Sequence, residues 1–138
     1  MNYDINTTQN IKTIKWKNNY FPKLNLRRGR HPSLGFFEYN NRKILFCCGG
    51  RDAAAIKECE VLKFDENNNH NNEWIDIKPM KYSRSFGSNI IQWKYSRNNN
   101  RMIILGGYGS FHAESHCEVF DVNKQIWYDL PQLNYWHK

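Results

Sequence analysis

Apolar residues in this chain fall in short runs bounded by turn-forming residues, not at helical spacing. Ile44-Leu45-Phe46-Cys47-Cys48 and Met102-Ile103-Ile104-Leu105 are each halted by a glycine pair, Gly49-Gly50 and Gly106-Gly107. Their length and partly β-branched content predict strands buried on both faces. Cys59-Glu60-Val61-Leu62-Lys63-Phe64 and His116-Cys117-Glu118-Val119-Phe120 come closer to alternation, the mark of a strand with one drier face, and end at Asp65 and Asp121. Trp74 and Trp127 each open a further strand that runs to a proline, Pro79 or Pro131, where the missing N–H ends ladder pairing. Ser33 to Tyr39 and Ser85 to Trp93 supply one more strand each, giving four strands per unit and two units. No segment shows a convincing helical period.

The order of these marks is the same both times. The offsets between copies are 57 residues for the glycine pair, 56 for Phe64-Asp65 and Phe120-Asp121, 53 for the tryptophans and 52 for the prolines. The shrinkage therefore belongs to loops, and a period of this length points to an array of similar β units.

Composition changes the picture in three places. Of nineteen asparagines, eight cluster at 67–69, 71–72 and 98–100 and read as polar loop fillers, which surface loops accept at little closure cost. The net charge of +7 is lopsided: residues 1–31 hold seven Lys and Arg against one acid (+6), and the remainder holds thirteen against twelve (+1). The repeats are thus nearly neutral, and the basic leader lacks the Arg-aromatic interleaving of a stacking surface, which disfavours nucleic acid as a partner. No basic start followed by an apolar stretch marks a secretory signal and no run approaches the roughly 18 residues of a membrane span, so a cytoplasmic chain with no membrane partner is expected. Cys47, Cys48, Cys59 and Cys117 are then expected to be reduced.

A strand ending in Gly-Gly, a strand ending in aromatic-Asp, a Trp, then Pro and a downstream Arg (Pro79-Met80 and Arg84 in the first copy) together resemble the kelch repeat, whose period is about 50 residues. The resemblance covers about residues 27–134 and implies an all-β fold: a partial kelch-type β-propeller of two four-stranded antiparallel blades. It departs from the family in having Phe where a Tyr precedes Asp, and in nine residues from Asp65 to Trp74. The implied organisation is a flexible leader at 1–10, the outer strand of a preceding blade at 11–26 (around Trp16), blades at 27–80 and 81–134, and the start of a missing blade at 135–138. Two blades cannot close a propeller ring of roughly 4 to 8. A fragment or truncated product, or self-association through open blade faces, is therefore expected.

Chemistry-bearing patterns are sparse. The glycine pairs neither continue into Gly-Lys-Ser/Thr nor open a helix, so they read as strand exits rather than phosphate loops. His112, His116 and Cys117 sit at short spacing, but adjacent Cys47 and Cys48 point to opposite faces of a strand and cannot complete one metal site. No catalytic order of Ser, His and Asp, no paired carboxylates, and no copper set of the galactose-oxidase type is legible. The expectation is a non-enzyme with no cofactor and no metal.

In proteins resembling this one, partners dock where the loops after the Gly-Gly strand meet the turns between blades. Carried onto this chain, those are Arg51 and Asp52, then Tyr108, Ser110 and His112, with Arg30 and His31, and Lys81, Tyr82, Arg84 and Ser85 on the inter-blade turns. Arg and Tyr suit interface anchors, and the basic set Arg30, Arg51 and Arg84 suits a protein or acidic peptide. The resemblance implies a protein-interaction module, with substrate recognition for a ubiquitin-ligase adaptor as one role. An actin or cytoskeletal scaffold and the propeller part of a larger enzyme are the alternatives.

Overall fold

In a computed structural model of the chain, the described residues are 22–39, 42–63, 72–86, 90–96, 99–109 and 114–135. They form ten strands: β1 (Ser33–Tyr39), β2 (Arg42–Cys48), β3 (Cys59–Lys63), β4 (Trp74–Ile77), β5 (Arg84–Ser85), β6 (Ile91–Ser96), β7 (Asn99–Leu105), β8 (Tyr108–Gly109), β9 (Cys117–Asp121) and β10 (Ile126–Leu130). The first sheet is the antiparallel meander β1-β2-β3-β4, the second is β6-β7-β9-β10, and β5 pairs with β8 in a two-stranded ribbon. The fold is all-β among the described residues, with no helix, and hence no helix long and apolar enough to cross a membrane.

The registers show which residues share a face. Ser33 opposes Cys48, Phe37 opposes Ile44, Phe46 opposes Val61 and Cys48 opposes Cys59, so these residues line one side of the first sheet. On the second sheet Met102 opposes Phe120, Phe120 opposes Trp127 and Ile104 opposes Glu118. These two sides meet. Phe37, Ile44, Phe46, Cys48, Cys59 and Val61 join Met102, Ile104, Phe120 and Trp127 in one buried core, and Phe46 meets Phe120 edge-on at 6.4 Å. Each such side chain contributes about 1.5–3 kcal/mol when fully buried. Ile90 sits over Gly35, where any Cβ would overlap it, and the Ile90 N–H donates to the Leu34 carbonyl at 3.2 Å. At the exit of β2, Gly49 takes φ 64 directly against the Arg84 carbonyl, a place and a conformation that only glycine fits without strain.

Because Cys48 opposes Cys59 in one sheet and Leu105 opposes Cys117 in the other, the two sheets superpose strand for strand. Phe46 then corresponds to Ile103 and Val61 to Val119, while Leu34 corresponds to Ile90, Leu45 to Met102 and Trp74 to Trp127. The first sheet contributes its Phe46 side to the joint; the second contributes the opposite side, that of Met102 and Trp127. The sheets stack head to tail, unlike face on unlike face.

Some sequence expectations change. The strand expected over Ser85 to Trp93 divides into β5 and β6, with Phe86 at φ 57 between them. Asn99 and Asn100 are not loop fillers: they lie in β7, and Asn100 is buried, its carbonyl accepting from the Val122 N–H at 3.2 Å. Phe120 corresponds structurally to Leu62, not Phe64. The offset at β3 and β9 is 58, from Glu60 to Glu118, because the loop after the second glycine pair is one residue longer. Residues 22–26, the end of the expected outer strand, form no strand and instead cross the outer side of the first sheet. Residues 1–21, Phe64 and Asp65 lie outside the described residues, as do Ser110 and His112.

Candidate partner-binding site

A repeated polar constellation orients the loop end of both units. The Arg84 guanidinium donates to the Glu118 carboxylate at 2.5 Å and to the carbonyls of Gly106 (2.6 Å) and His116 (3.0 Å). One unit earlier, Arg28 donates to Glu60 at 2.8 Å and to the carbonyls of Gly49 and Glu58. Glu118 also accepts from the Lys81 N–H (2.7 Å), as Glu60 does from the Asn25 N–H (2.8 Å). The Trp127 indole donates to the Lys78 carbonyl (2.8 Å), as Trp74 does to Pro22 (3.0 Å). Charge-assisted, multiply bonded pairs of this kind fix geometry as well as energy. Each ties the segment entering a unit to the glycine exit and to the following strand.

Above this scaffold the main chains of the loops interlock. Arg30 and Arg51 pair as an isolated antiparallel bridge with N–O distances of 3.0 and 2.8 Å, and Arg51 also bridges to Ala55. The Gly50 N–H donates to the Arg84 carbonyl at 2.8 Å, Arg84 N–H donates to Ile56, and Arg84 and Ser85 pair with Gly109 and Tyr108. The result is a cleft of about 260 Å³ lined by Arg51, Ala53, Ala54, Ala55, Ser83, Tyr108 and Gly109. Beside it stands an aromatic shelf: His31 stacks on Phe86 at 4.2 Å, and Phe86 meets Tyr108 edge-on at 6.2 Å. Both stacked residues hold left-handed backbone, φ 48 for His31 and φ 57 for Phe86. For non-glycine residues this costs about 1–3 kcal/mol each, strain that concentrates at functional positions.

Of the residues expected at the site, Arg30, His31, Arg51 and Tyr108 come together here, with Asp52 exposed next to Arg51. Arg84 and Ser85 are both 1% exposed, which removes them from the accessible set. Arg84 is a scaffold group, its charge held by Glu118, and its removal leaves Arg30 and Arg51 as the accessible basic pair. Lys81 and Tyr82 turn elsewhere, Lys81 to Asp129 at 2.5 Å and Tyr82 onto the His116 ring at 4.2 Å. The Asp129 hydrogen bond pushes the Lys81 ammonium above its usual value. Phe86 and the Ala53–Ala55 wall were not anticipated. Three small residues directly after Arg51-Asp52 were the legible sign of a cleft floor, whereas the left-handed turn at Phe86 has no sequence mark.

The arrangement offers the Arg51 guanidinium, a phenol and small apolar walls, with stacked rings beside them. Among the described residues no group of three or more His, Cys, Asp or Glu is placed to hold a metal ion. Cys47 opposes Glu60 and Cys48 opposes Cys59, putting the adjacent thiols on opposite sides of the sheet. Burial pushes the Cys47 thiol up to about 11 against the opposing pull of Arg28, and burial followed by the hydrogen bond to Cys59 pushes Cys48 well up. Neither forms a thiolate at neutral pH. Compared with models of known protein families and with curated proteins, the chain matches none.

Proposed function

We propose that the two sheets are consecutive blades of a kelch-type β-propeller, and that the chain is a non-catalytic, cytoplasmic protein-interaction module that binds an acidic peptide or protein at its loop end. The repeat of the Arg–Glu constellation in like positions supports the blade reading: Arg28–Glu60 and Arg84–Glu118 each join an entering segment to a glycine exit. The observation that carries the binding reading is the cleft lined by Arg51 and Tyr108, with Arg30 bridged to Arg51 beside it and the strained His31–Phe86 pair against Tyr108. Arg51 and Tyr108 are the anchors, because both line the cleft and belong to residue types that dominate binding energy. Substrate recognition for a ubiquitin-ligase adaptor is one role such a module would serve.

Selection on displayed random peptides, followed by titration of the enriched peptides, tests this. Enrichment of Asp- and Glu-rich sequences is expected, with affinity falling about tenfold or more in Arg51→Glu and unchanged in Lys94→Glu, on a strand away from the cleft. Enrichment without acidic residues, or binding indifferent to Arg51→Glu, would contradict it.

A further inference from the structure

Head-to-tail stacking buries one side of each sheet against the other and leaves the opposite sides with no described sheet on them, residues 22–28 crossing only the β3–β4 half of the first sheet. The open side of the second sheet is the counterpart of the side that the first sheet buries in the joint: Trp93 stands where Phe37 does, Ile103 where Phe46 does, Tyr128 where Ile75 does. The open side of the first sheet is the counterpart of the side that the second sheet buries, with Leu34 in the place of Ile90 and Trp74 in the place of Trp127. Burial separates the members of every pair but Tyr128 and Ile75, which lie toward the sheet edges and are exposed alike, at 40% and 37%. Leu34 is 51% exposed against 8% for Ile90, and Trp93 is 40% exposed against 3% for Phe37. Phe36, beside Leu34, is 57% exposed.

We propose that a second copy of this chain covers these faces, the outer side of the first sheet in one copy docking on the outer side of the second sheet in the next. The internal joint is the template, since each open face already has its complement within the same molecule. The copy-to-copy joint is not an identical repeat. Ile91 occupies the position of Gly35, so Leu34 of the neighbouring copy packs beside Ile91 and not into a glycine gap. Phe36 occupies the position of Gln92 and adds apolar area to this joint. Exposed Phe36 on β1 and Trp93 on β6, each on an edge strand of its sheet, are residue types that anchor interfaces. Because the two surfaces differ, the contact is heterologous and propagates into a ring or an open chain. It lies on the sheet faces, away from the loop end, so peptide binding by an assembly-defective variant separates this inference from the proposed function.

Sedimentation velocity of the full chain across the micromolar range is the test, with near-ultraviolet circular dichroism as the folding check. Concentration-dependent multimers are expected. Phe36→Glu and Trp93→Glu should each sediment as monomers, and their equimolar mixture should stop at a heterodimer, since each variant keeps the face that the other lacks. Phe36→Ser and Trp93→Ser replace them if the glutamates unfold the chain. A wild-type monomer at the highest concentration overturns the proposal. So does a single variant that still dimerises, or a mixture of folded variants that does not pair.

Discussion

The two Arg–Glu constellations are the same device under different cover, and their difference shows what holds the molecule together. Arg84–Glu118 lies in the joint between the sheets, beneath strands of both units, with side-chain exposures of 1% and 0%. Arg28–Glu60 is as dry in its side chains, yet a strandless segment, residues 22–28, covers it. Tryptophans follow the same rule: Trp127 is buried within the core while Trp74 is half-buried, though their indoles make equivalent hydrogen bonds. Local chemistry repeats, and tertiary cover decides what each copy is worth.

The comparison breaks first at the carboxylates. Glu118→Ala strands a buried guanidinium and should cost about 3–5 kcal/mol, read as a shift of the urea unfolding midpoint. Glu60→Ala should cost less, about 1–3 kcal/mol, because residues 22–28 can lift Arg28 into water without parting the sheets. Equal losses would mean that the cover of the first sheet adds nothing to the inner pair. Next in size, Gly35→Ala pushes a Cβ into Ile90 across the joint and should cost about 1–3 kcal/mol by overpacking, whereas Ile91→Ala at the counterpart position on the open face should stay within about 0.5 kcal/mol in the monomer. Similar losses at both would contradict the asymmetric stacking. Trp127→Phe should exceed Trp74→Phe by about 1 kcal/mol in the same assay, both losing one indole hydrogen bond but only the first a fully packed ring.

A smaller effect lies in pH. The Cys47 thiol, at 9.0 when unfolded, is raised to about 11 by burial. Its contribution is fully present below pH 9 and is lost as pH climbs through about 11, since the unfolded chain releases that proton first. Urea midpoints should therefore hold up to pH 9 and then fall, less steeply in Cys47→Ala; an unchanged slope in that variant would remove the cysteine from the account.

The meander of four strands per unit was legible because Gly-Gly exits, Cys-Glu-Val starts and tryptophans recur in order. Register was less so. The doublet Phe64-Asp65 looks like Phe120-Asp121, but it falls one residue later after its glycine pair, and the loop after Gly107 is one residue longer, so the correspondence moves by two to Leu62 and only hydrogen-bond pairing reveals it. Glu60 and Glu118 carried no signal of burial, because a carboxylate on a strand reads as a solvent-facing residue until its arginine partner, more than thirty residues upstream, is placed beside it. For the same reason Arg84 read as an anchor for a partner, whereas Arg51 lines the cleft with Arg30 bridged beside it, neither ion-paired to a carboxylate among the described residues.

Native-state hydrogen exchange of two equivalent amides measures the central difference most directly: Lys81 N–H on Glu118 and Asn25 N–H on Glu60. In Trp93→Glu, which removes assembly from the comparison, Lys81 should exchange only with global unfolding, and Asn25 should exchange faster through local release of residues 22–28. Equal protection at both, at the global limit, would contradict the claim that the joint between the sheets, and not the repeated constellation itself, sets the stability of each unit.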